Sequence, residues 1–262
     1  MATSTLMGIH DVAQRGFDTG ADAYERARPS YPSDAVAWLV ERCGIGPGTT
    51  VCDLAAGTGI LTRLLTPTGA SVIAIEPVAG MRSVLATTLS GVPALAATAE
   101  ALPIRESSLD AVTVAQAFHW FDATRAFEEL GRVLRPGGHL GLIWNARDRS
   151  VDWVDRLWSI LDRVEKRAPW RDHEQWSDSA LGERRGFDSL SEATFHHTQV
   201  LSIDDVVARF ASVSHVAVLP ETERAAVLDE VRDLLVTNPE TAGLATVAIP
   251  YRVDAYSCER LG

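Results

Sequence analysis

The chain has 262 residues, 46% hydrophobic and 23% charged, an ordinary globular balance that excludes disorder and suits one large α/β domain. Its 24 Lys and Arg stand against 35 Asp and Glu, and the resulting net charge of −11 disfavours nucleic acid and membrane partners because such a surface repels phosphates and anionic headgroups. Cys43, Cys52 and Cys258 are widely spaced in apolar stretches and form no C-x-x-C pair, so they read as small buried hydrophobes in a reducing compartment, not as a disulfide or metal site. No apolar run reaches membrane-spanning length and the N-terminal stretch has no signal-type apolar core, which makes a cytoplasmic location the expectation.

In chain order, a short amphipathic lead-in over Asp11–Tyr24 and a turn at Arg28–Pro32 precede a helix over Ser33–Arg42. Strand-like apolar runs follow at Thr50–Leu54, Ser71–Glu76, Pro93–Ala97, Ala111–Ala115 and His139–Trp144. Helical patterns lie between most of them, at Ile60–Leu65, Val78–Leu89 and Asp122–Leu134, with Asp122 placed to cap the last. The strand runs are nearly continuous in apolar residues, as expected when helices cover both faces of a parallel sheet. This is a doubly wound α/β pattern, with Arg135-Pro136-Gly137-Gly138 separating a helix from the fifth strand.

Beyond the fifth strand the pattern changes. Val151–Val164 reads as a helix, 165–186 as polar and irregular, and Thr194–Leu201 as a strand. Ser202 and Asp205 form a capping box for a helix whose apolar face is Ile203, Val206, Val207, Phe210 and Val213. A longer helix over Glu221–Val236 and a final strand over Thr246–Tyr256 complete the chain. The whole reads as a single domain: lead-in 1–45, core 46–146, a cap or insertion over 147–200, and C-terminal helices with the last strand over 201–262.

The stretch Asp53-Leu54-Ala55-Ala56-Gly57-Thr58-Gly59 places a small-residue turn between a strand and a helix, which lets backbone approach a ligand and presents free N–H groups. Any nucleotide would suit that much. Asp53, ahead of the glycines, opposes a pyrophosphate and favours a positively charged ligand group, such as the ammonium of a methionine moiety. Thr62 stands where a dinucleotide fingerprint has its third small residue. Glu76, ending the second strand, can accept from both hydroxyls of a ribose.

These residues resemble the class I S-adenosylmethionine (SAM)-dependent methyltransferases, specifically the type 11 group that includes ubiquinone/menaquinone-biosynthesis and trans-aconitate-like enzymes. The matching pieces occur in family order: Asp53–Gly59, Glu76 followed by Met81, Thr98-Ala99-Glu100-Ala101-Leu102-Pro103, Asp110 opening the fourth strand, and Leu134–Gly138. The resemblance implies a seven-stranded, Rossmann-like, mostly parallel sheet whose last strand is antiparallel. It implies that Asp53, Gly57 and Gly59 line the methionine part, that Glu76 holds the ribose, that Met81 packs on the adenine and that Ala99 presents a backbone N–H to it. Ala55, Thr58, Pro77, Glu100 and Gln116 are further cofactor candidates by the same resemblance. Tyr24 and Arg28 match a lead-in that relatives place near the SAM carboxylate. Thr98 departs from the family, many of whose members have an Asp there for the adenine amino group.

After the fourth strand, Gln116-Ala117-Phe118-His119-Trp120-Phe121 faces the end of the sheet where ligands bind, and a similar run occurs in the trans-aconitate-like relatives. His119 is the catalytic candidate, as a general base for a phenol or amine acceptor, or as a group that only shapes the pocket. Trp120, Trp144, Asn145 and Arg147 are candidates for contacting the acceptor. A carboxylate acceptor would need a cationic clamp, for which Arg28 and Arg147 are the candidates, although Tyr24 and Arg28 can instead be ordinary surface residues. Trp153 and Trp158 lie on different faces of their helix, which suits a lid or plain core packing. His196 and His197 are adjacent strand residues pointing to opposite faces, so no metal site is expected.

The leading expectation is a SAM-dependent methyltransferase acting on a small organic molecule, most readily at oxygen, working as a monomer or homodimer. A nicotinamide oxidoreductase is disfavoured by Asp53 and Thr62. A SAM-binding protein without methyl transfer remains open.

Overall fold

Val51, Cys52, Asp53 and Leu54 are all buried, so the strand carrying them, β1 (Thr50–Leu54), must be covered on both faces. The computed structural model describes residues 28–165 and 184–262; the Asp11–Tyr24 lead-in and most of 165–186 lie outside the described residues. β1 pairs in parallel with β2 (Ser71–Ile75) on one side and with β4 (Leu109–Ala115) on the other. β3 (Ala94–Leu95) extends the sheet beyond β2, and β5 (Leu134–Arg147) pairs in parallel with β4. With β6 (Ser191–Ser202) and β7 (Thr246–Glu259) the strand order is β3-β2-β1-β4-β5-β7-β6. Six strands are parallel and one antiparallel.

The helices are α1 (Ser33–Arg42), α2 (Ile60–Leu65), α3 (Ala79–Thr88), α4 (Ala123–Val133), α5 (Asp152–Glu165), α6 (Ile203–Ala211), α7 (Ser214–Ala217) and α8 (Glu221–Thr237). Two caps read from sequence are present: Asp122 accepts from the N–H of Arg125, and Ser202 from that of Asp205. Element ends otherwise differ from expectation by a few residues. One difference is structural. The Arg135-Pro136-Gly137-Gly138 run is not a separate turn but the first part of β5, which begins directly after α4. The β4–β5 register slips there, from Leu109 opposite Leu134 to Ala111 opposite His139, so the extra residues are absorbed as an irregularity that tolerates proline. Asp110 ties this edge together, accepting from the Thr50 N–H at 2.7 Å and pairing with Arg135. β4 itself begins two residues before the expected run Ala111–Ala115, at Leu109.

The described residues form two compact units, one of 28–29, 146–165 and 196–252, the other of 30–145, 184–195 and 253–262. In the second, alternate strand residues feed opposite cores. Cys52, Leu54, Val112, Val114, Leu140 and Leu142 pack with α4 residues Ala126, Phe127, Leu130 and Val133, while Val51, Ala111 and Ile143 pack with Leu39 of α1 and Leu61 and Leu65 of α2. In the first unit Val154, Leu157, Trp158 and Leu161 of α5 form a core with Val206 and Phe210 of α6, Val231 and Leu235 of α8, and Ile249 and Tyr251 of β7. Trp153 and Trp158 both belong to that core.

The cysteines are buried free thiols, and burial pushes the Cys43 and Cys258 thiols up to about 12. Gly141 lets α1 lie against β5, because a Cβ there would sit 2.7 Å from the Cys43 Sγ and 2.8 Å from Leu39 Cδ1. Gly141→Ala should therefore cost about 2 kcal/mol in denaturant unfolding through overpacking, and a cost below a few tenths would show that α1 is free to shift.

Candidate active site

The chain leaves β1 for β2 and β3 on one side, then returns to β4 on the other, so the carboxyl ends of β1 and β4 flank a switch point where ligands of open α/β sheets bind. Both strands end in strained backbone. Ala55 (φ 55°) follows β1 and Gln116 (φ 58°) follows β4, each a side-chain-bearing residue in the left-handed region at a cost of order 1 kcal/mol.

Gly57 has φ 59° and only Met81 Sδ, at 3.9 Å, near the position of a Cβ. Its N–H donates to Glu76 Oε2 at 2.9 Å, and Val78 N–H donates to Glu76 Oε1 at 2.8 Å. These bonds hold the carboxylate that ends β2 against the Gly-rich turn. Gly57, Glu76 and Met81, expected from the sequence to share one ligand, are thus brought together. Gly59 is the left-handed N-cap residue of α2, and Thr58 carries a buried hydroxyl with no hydrogen-bond partner. Pro77 is half-buried, and its carbonyl accepts from Arg82, which also holds the Glu76 carbonyl at 2.7 Å. Sequence reasoning missed Arg82, which reads only as a helix-surface cation.

Asp53 lies near the end of β1. It is 1% exposed, and its two carboxylate oxygens accept from the hydroxyls of Thr62 on α2 at 2.5 Å and Thr113 on β4 at 3.1 Å. It faces the α2 side of the sheet as an internal brace, because residues 51, 53 and 113 share that face while 52 and 54 take the other. Burial, partly offset by the two hydroxyls, pushes its carboxyl up to about 6. The sequence shows Thr62 as a fingerprint violation; it is the partner of Asp53.

Beyond β3, Thr98 bridges to Ala101 across a tight turn and Ala99 is buried. Glu100, expected at the cofactor, accepts through Oε1 from the Asp122 N–H at 3.0 Å, joining this turn to the start of α4.

On the acceptor side, Gln116 Nε2 donates to the Asn145 carbonyl at 3.4 Å, and Asn145 Nδ2 donates to the Ser30 carbonyl at 3.2 Å. Phe118–Trp120 form one 3-10 turn directly after Gln116 and Ala117. Phe118 anchors the turn in the core against Phe121 and Phe127, His119 is half-buried with its ring 5.0 Å from that of Trp120, and Trp120 is exposed. Trp144 does not end its strand, which continues to Arg147, and is buried edge-on to Tyr256 at 5.9 Å. Arg28 and Arg147 belong to the other unit, where Arg147 pairs with Asp162 at 2.9 Å and lies over Trp158. Tyr24 lies outside the described residues. His196 is exposed and His197 half-buried on the opposite face of β6, and among the described residues no group of three His, Cys, Asp or Glu is placed to hold a metal.

A Gly-rich turn after β1, an anchored carboxylate ending β2 and a switch point between β1 and β4 define a nucleotide-cofactor enzyme of the doubly wound α/β class. The comparisons make this particular. A family model described as a methyltransferase domain matches residues 52–142. An uncharacterized methyltransferase of Mycobacterium tuberculosis is 40% identical over 235 residues, covering 90% of this chain and 91% of that protein. An uncharacterized methyltransferase-like protein of Schizosaccharomyces pombe is 33% identical over 245 residues, covering 93% and 95%. A demethylmenaquinone methyltransferase of a Mycobacterium species is 39% identical over 147 residues, 53% of this chain and 62% of that one. Among solved structures, a chain from Anaeromyxobacter dehalogenans described as a type II methyltransferase has the same fold, with TM-score 0.65 and 24% identity over 89% of this chain and 96% of that one. The chain belongs to the class I SAM-dependent methyltransferases, and SAM is its methyl donor.

The raised carboxyl of Asp53 has a measurable consequence. Because its folded value of about 6 lies above the ordinary 3.8, the protonated form favours the folded state below pH 4 and this contribution is lost as pH rises through 6. Asp53→Asn carries no such charge. The stability of the ligand-free variant relative to wild type should therefore rise by about 3 kcal/mol between pH 4 and 7, read by urea unfolding; a pH-independent difference would show that Asp53 ionises without penalty.

Proposed function

We propose that the enzyme methylates a small organic molecule at an oxygen atom, in the monomeric or homodimeric state, with no nucleic acid or membrane partner. The single observation that carries the oxygen assignment is the half-buried His119 in the turn that follows strained Gln116 at the end of β4. A neutral imidazole there can take the proton of a hydroxyl acceptor. The net charge of −11 supports a small acceptor over a polyanion. The partial relative that acts on demethylmenaquinone, by its name, adds a small-molecule precedent.

The residues present fit SAM. Thr58 offers a buried unpartnered hydroxyl, Gly57 offers backbone without a side chain, Met81 is a soft apolar surface for an adenine, and the Glu76 carboxylate is an acceptor-only group for ribose hydroxyls. When bound, SAM would supply an activated methyl group carried on a sulfonium. The chain's part is to orient both partners, to exclude water with the aromatic turn Phe118–Trp120, and to receive the acceptor proton at the His119 imidazole.

Glu76→Ala should weaken SAM binding by about a hundredfold in calorimetric titration, since two charge-assisted hydrogen bonds are lost; unchanged affinity would move the ribose elsewhere. His119→Gln should leave SAM affinity unchanged and lower kcat with hydroxyl acceptors by about a hundredfold, removing the acid limb of the pH profile. A variant with full kcat would reduce His119 to a shaping role.

A further inference from the structure

The turn that carries His119 and Trp120 is tethered on both sides, and one tether reaches back to the cofactor edge. Phe118 anchors its first residue in the core against Phe127. On the far side, the Phe121 N–H closes the 3-10 turn on the Phe118 carbonyl at 3.0 Å. The next N–H, that of Asp122, donates to Glu100 Oε1 at 3.0 Å. His119 and Trp120 lie between these two points. Glu100 belongs to the tight Thr98–Ala101 turn that follows β3. β2 and β3 end together, since the Glu76 N–H donates to the Leu95 carbonyl at 3.0 Å. The Thr98–Ala101 turn therefore stands at the same carboxyl-end edge of the sheet as the Glu76 carboxylate. The continuation of that loop is bound elsewhere. Leu102 N–H donates to Glu129 Oε1 at 2.7 Å, and Arg132 holds the Leu102 and Ile104 carbonyls at 3.1 and 2.9 Å. Both partners sit in the second half of α4, so its end is fixed while its start is joined to the Thr98–Ala101 turn.

We propose that Glu100 is a positioning residue that ties the acceptor turn to the cofactor edge, so that an occupied cofactor site sets His119 and Trp120 in place. The bond suits that task. Its acceptor is a carboxylate at the start of an 11-residue helix, where the macrodipole strengthens it. Its donor is the N–H of the N-cap residue, which no intrahelical bond claims, so it can follow Glu100 without breaking the helix. A ligand that orders the Thr98–Ala101 turn therefore orders Phe121 and Asp122, and a single 3-10 turn is short enough to pass that constraint to His119. The acceptor then meets a finished pocket when SAM is bound. This inference rests on the cofactor and acceptor readings above.

The experiment is fluorine NMR of the full chain carrying fluorotryptophan, with the Trp120 resonance assigned through Trp120→Phe. Each protein is titrated with S-adenosylhomocysteine, and calorimetry gives the affinity in parallel. The backbone offers a variant that deletes the donor alone. Asp122 has φ −71° and Phe121 before it is extended at ψ 151°, so proline fits at 122 and removes the N–H. Asp122→Ala loses the same capping side chain but keeps that N–H. S-adenosylhomocysteine should shift the Trp120 resonance in wild type, in Asp122→Ala and in Glu100→Gln, which keeps an amide oxygen as acceptor. Glu100→Ala and Asp122→Pro should lose the shift while binding S-adenosylhomocysteine within about threefold of wild type. Either of these two suffices where the other fails to fold. A Trp120 resonance unmoved at saturation, a shift that survives Glu100→Ala, or a shift lost equally in Asp122→Ala would overturn the proposal. Absent binding to wild type would strike the cofactor assignment first, and this inference with it.

Discussion

A carboxylate with 1% of its surface exposed, that of Asp53, is held by two threonine hydroxyls, one on α2 and one on β4, and by the Thr62 backbone. That constraint orders the end of β1. An unpaired carboxylate at such depth would be prohibitively costly, so α2 must present Thr62 and β4 must present Thr113 at the level where the chain leaves the sheet. The turn between β1 and α2 is thereby held at both ends, and its left-handed residues Ala55, Gly57 and Gly59 are dictated by the route left to the backbone. Glu76 completes the arrangement from the next strand by accepting from Gly57. The cofactor turn is in this sense preorganised by buried polar bonds, at the expense of a carboxyl raised well above its ordinary value.

The other unit shows a contrasting use of buried polarity. There the donors of Trp158 and Tyr251 are sealed in an aliphatic core without acceptors, next to arginines whose charge is partly carried on aromatic faces. Cation–π contact offsets part of the cost of burying a guanidinium, and it leaves the phenol and indole unsatisfied. A core optimised for stability alone would place phenylalanine at both positions.

The nucleotide turn was legible because its chemistry is local. Asp53 to Gly59 and Glu76 are close in sequence, and parallel strands adjacent in order bring their ends together. The caps at Asp122 and Ser202 were legible for the same reason. The Arg135–Gly138 run was misread as a separating turn because a β-irregularity uses the same residues, and only pairing with β4 distinguishes the two. Arg209 left one unused signal: it lies three residues after Val206 and beside Phe210, within the apolar face of its helix, where a charge demands a partner. Tyr251 likewise falls in the buried alternation Val247, Ile249, Tyr251, Val253 of β7.

By itself the sequence determined the doubly wound order of strands and helices and the membership in the methyltransferase class, since each rests on periodicity or on short spacings that local physics obeys. Only the tertiary structure decided what the polar side chains do. Asp53 is held by Thr113, sixty residues away. Glu100 accepts from the start of α4, twenty-two residues on. Arg147, Trp158, Arg209 and Tyr251 come from two strands and two helices far apart in the chain, and no local spacing records their meeting. Hydrogen bonds and ion contacts reach only a few ångströms, so partners distant in sequence are chosen by the fold.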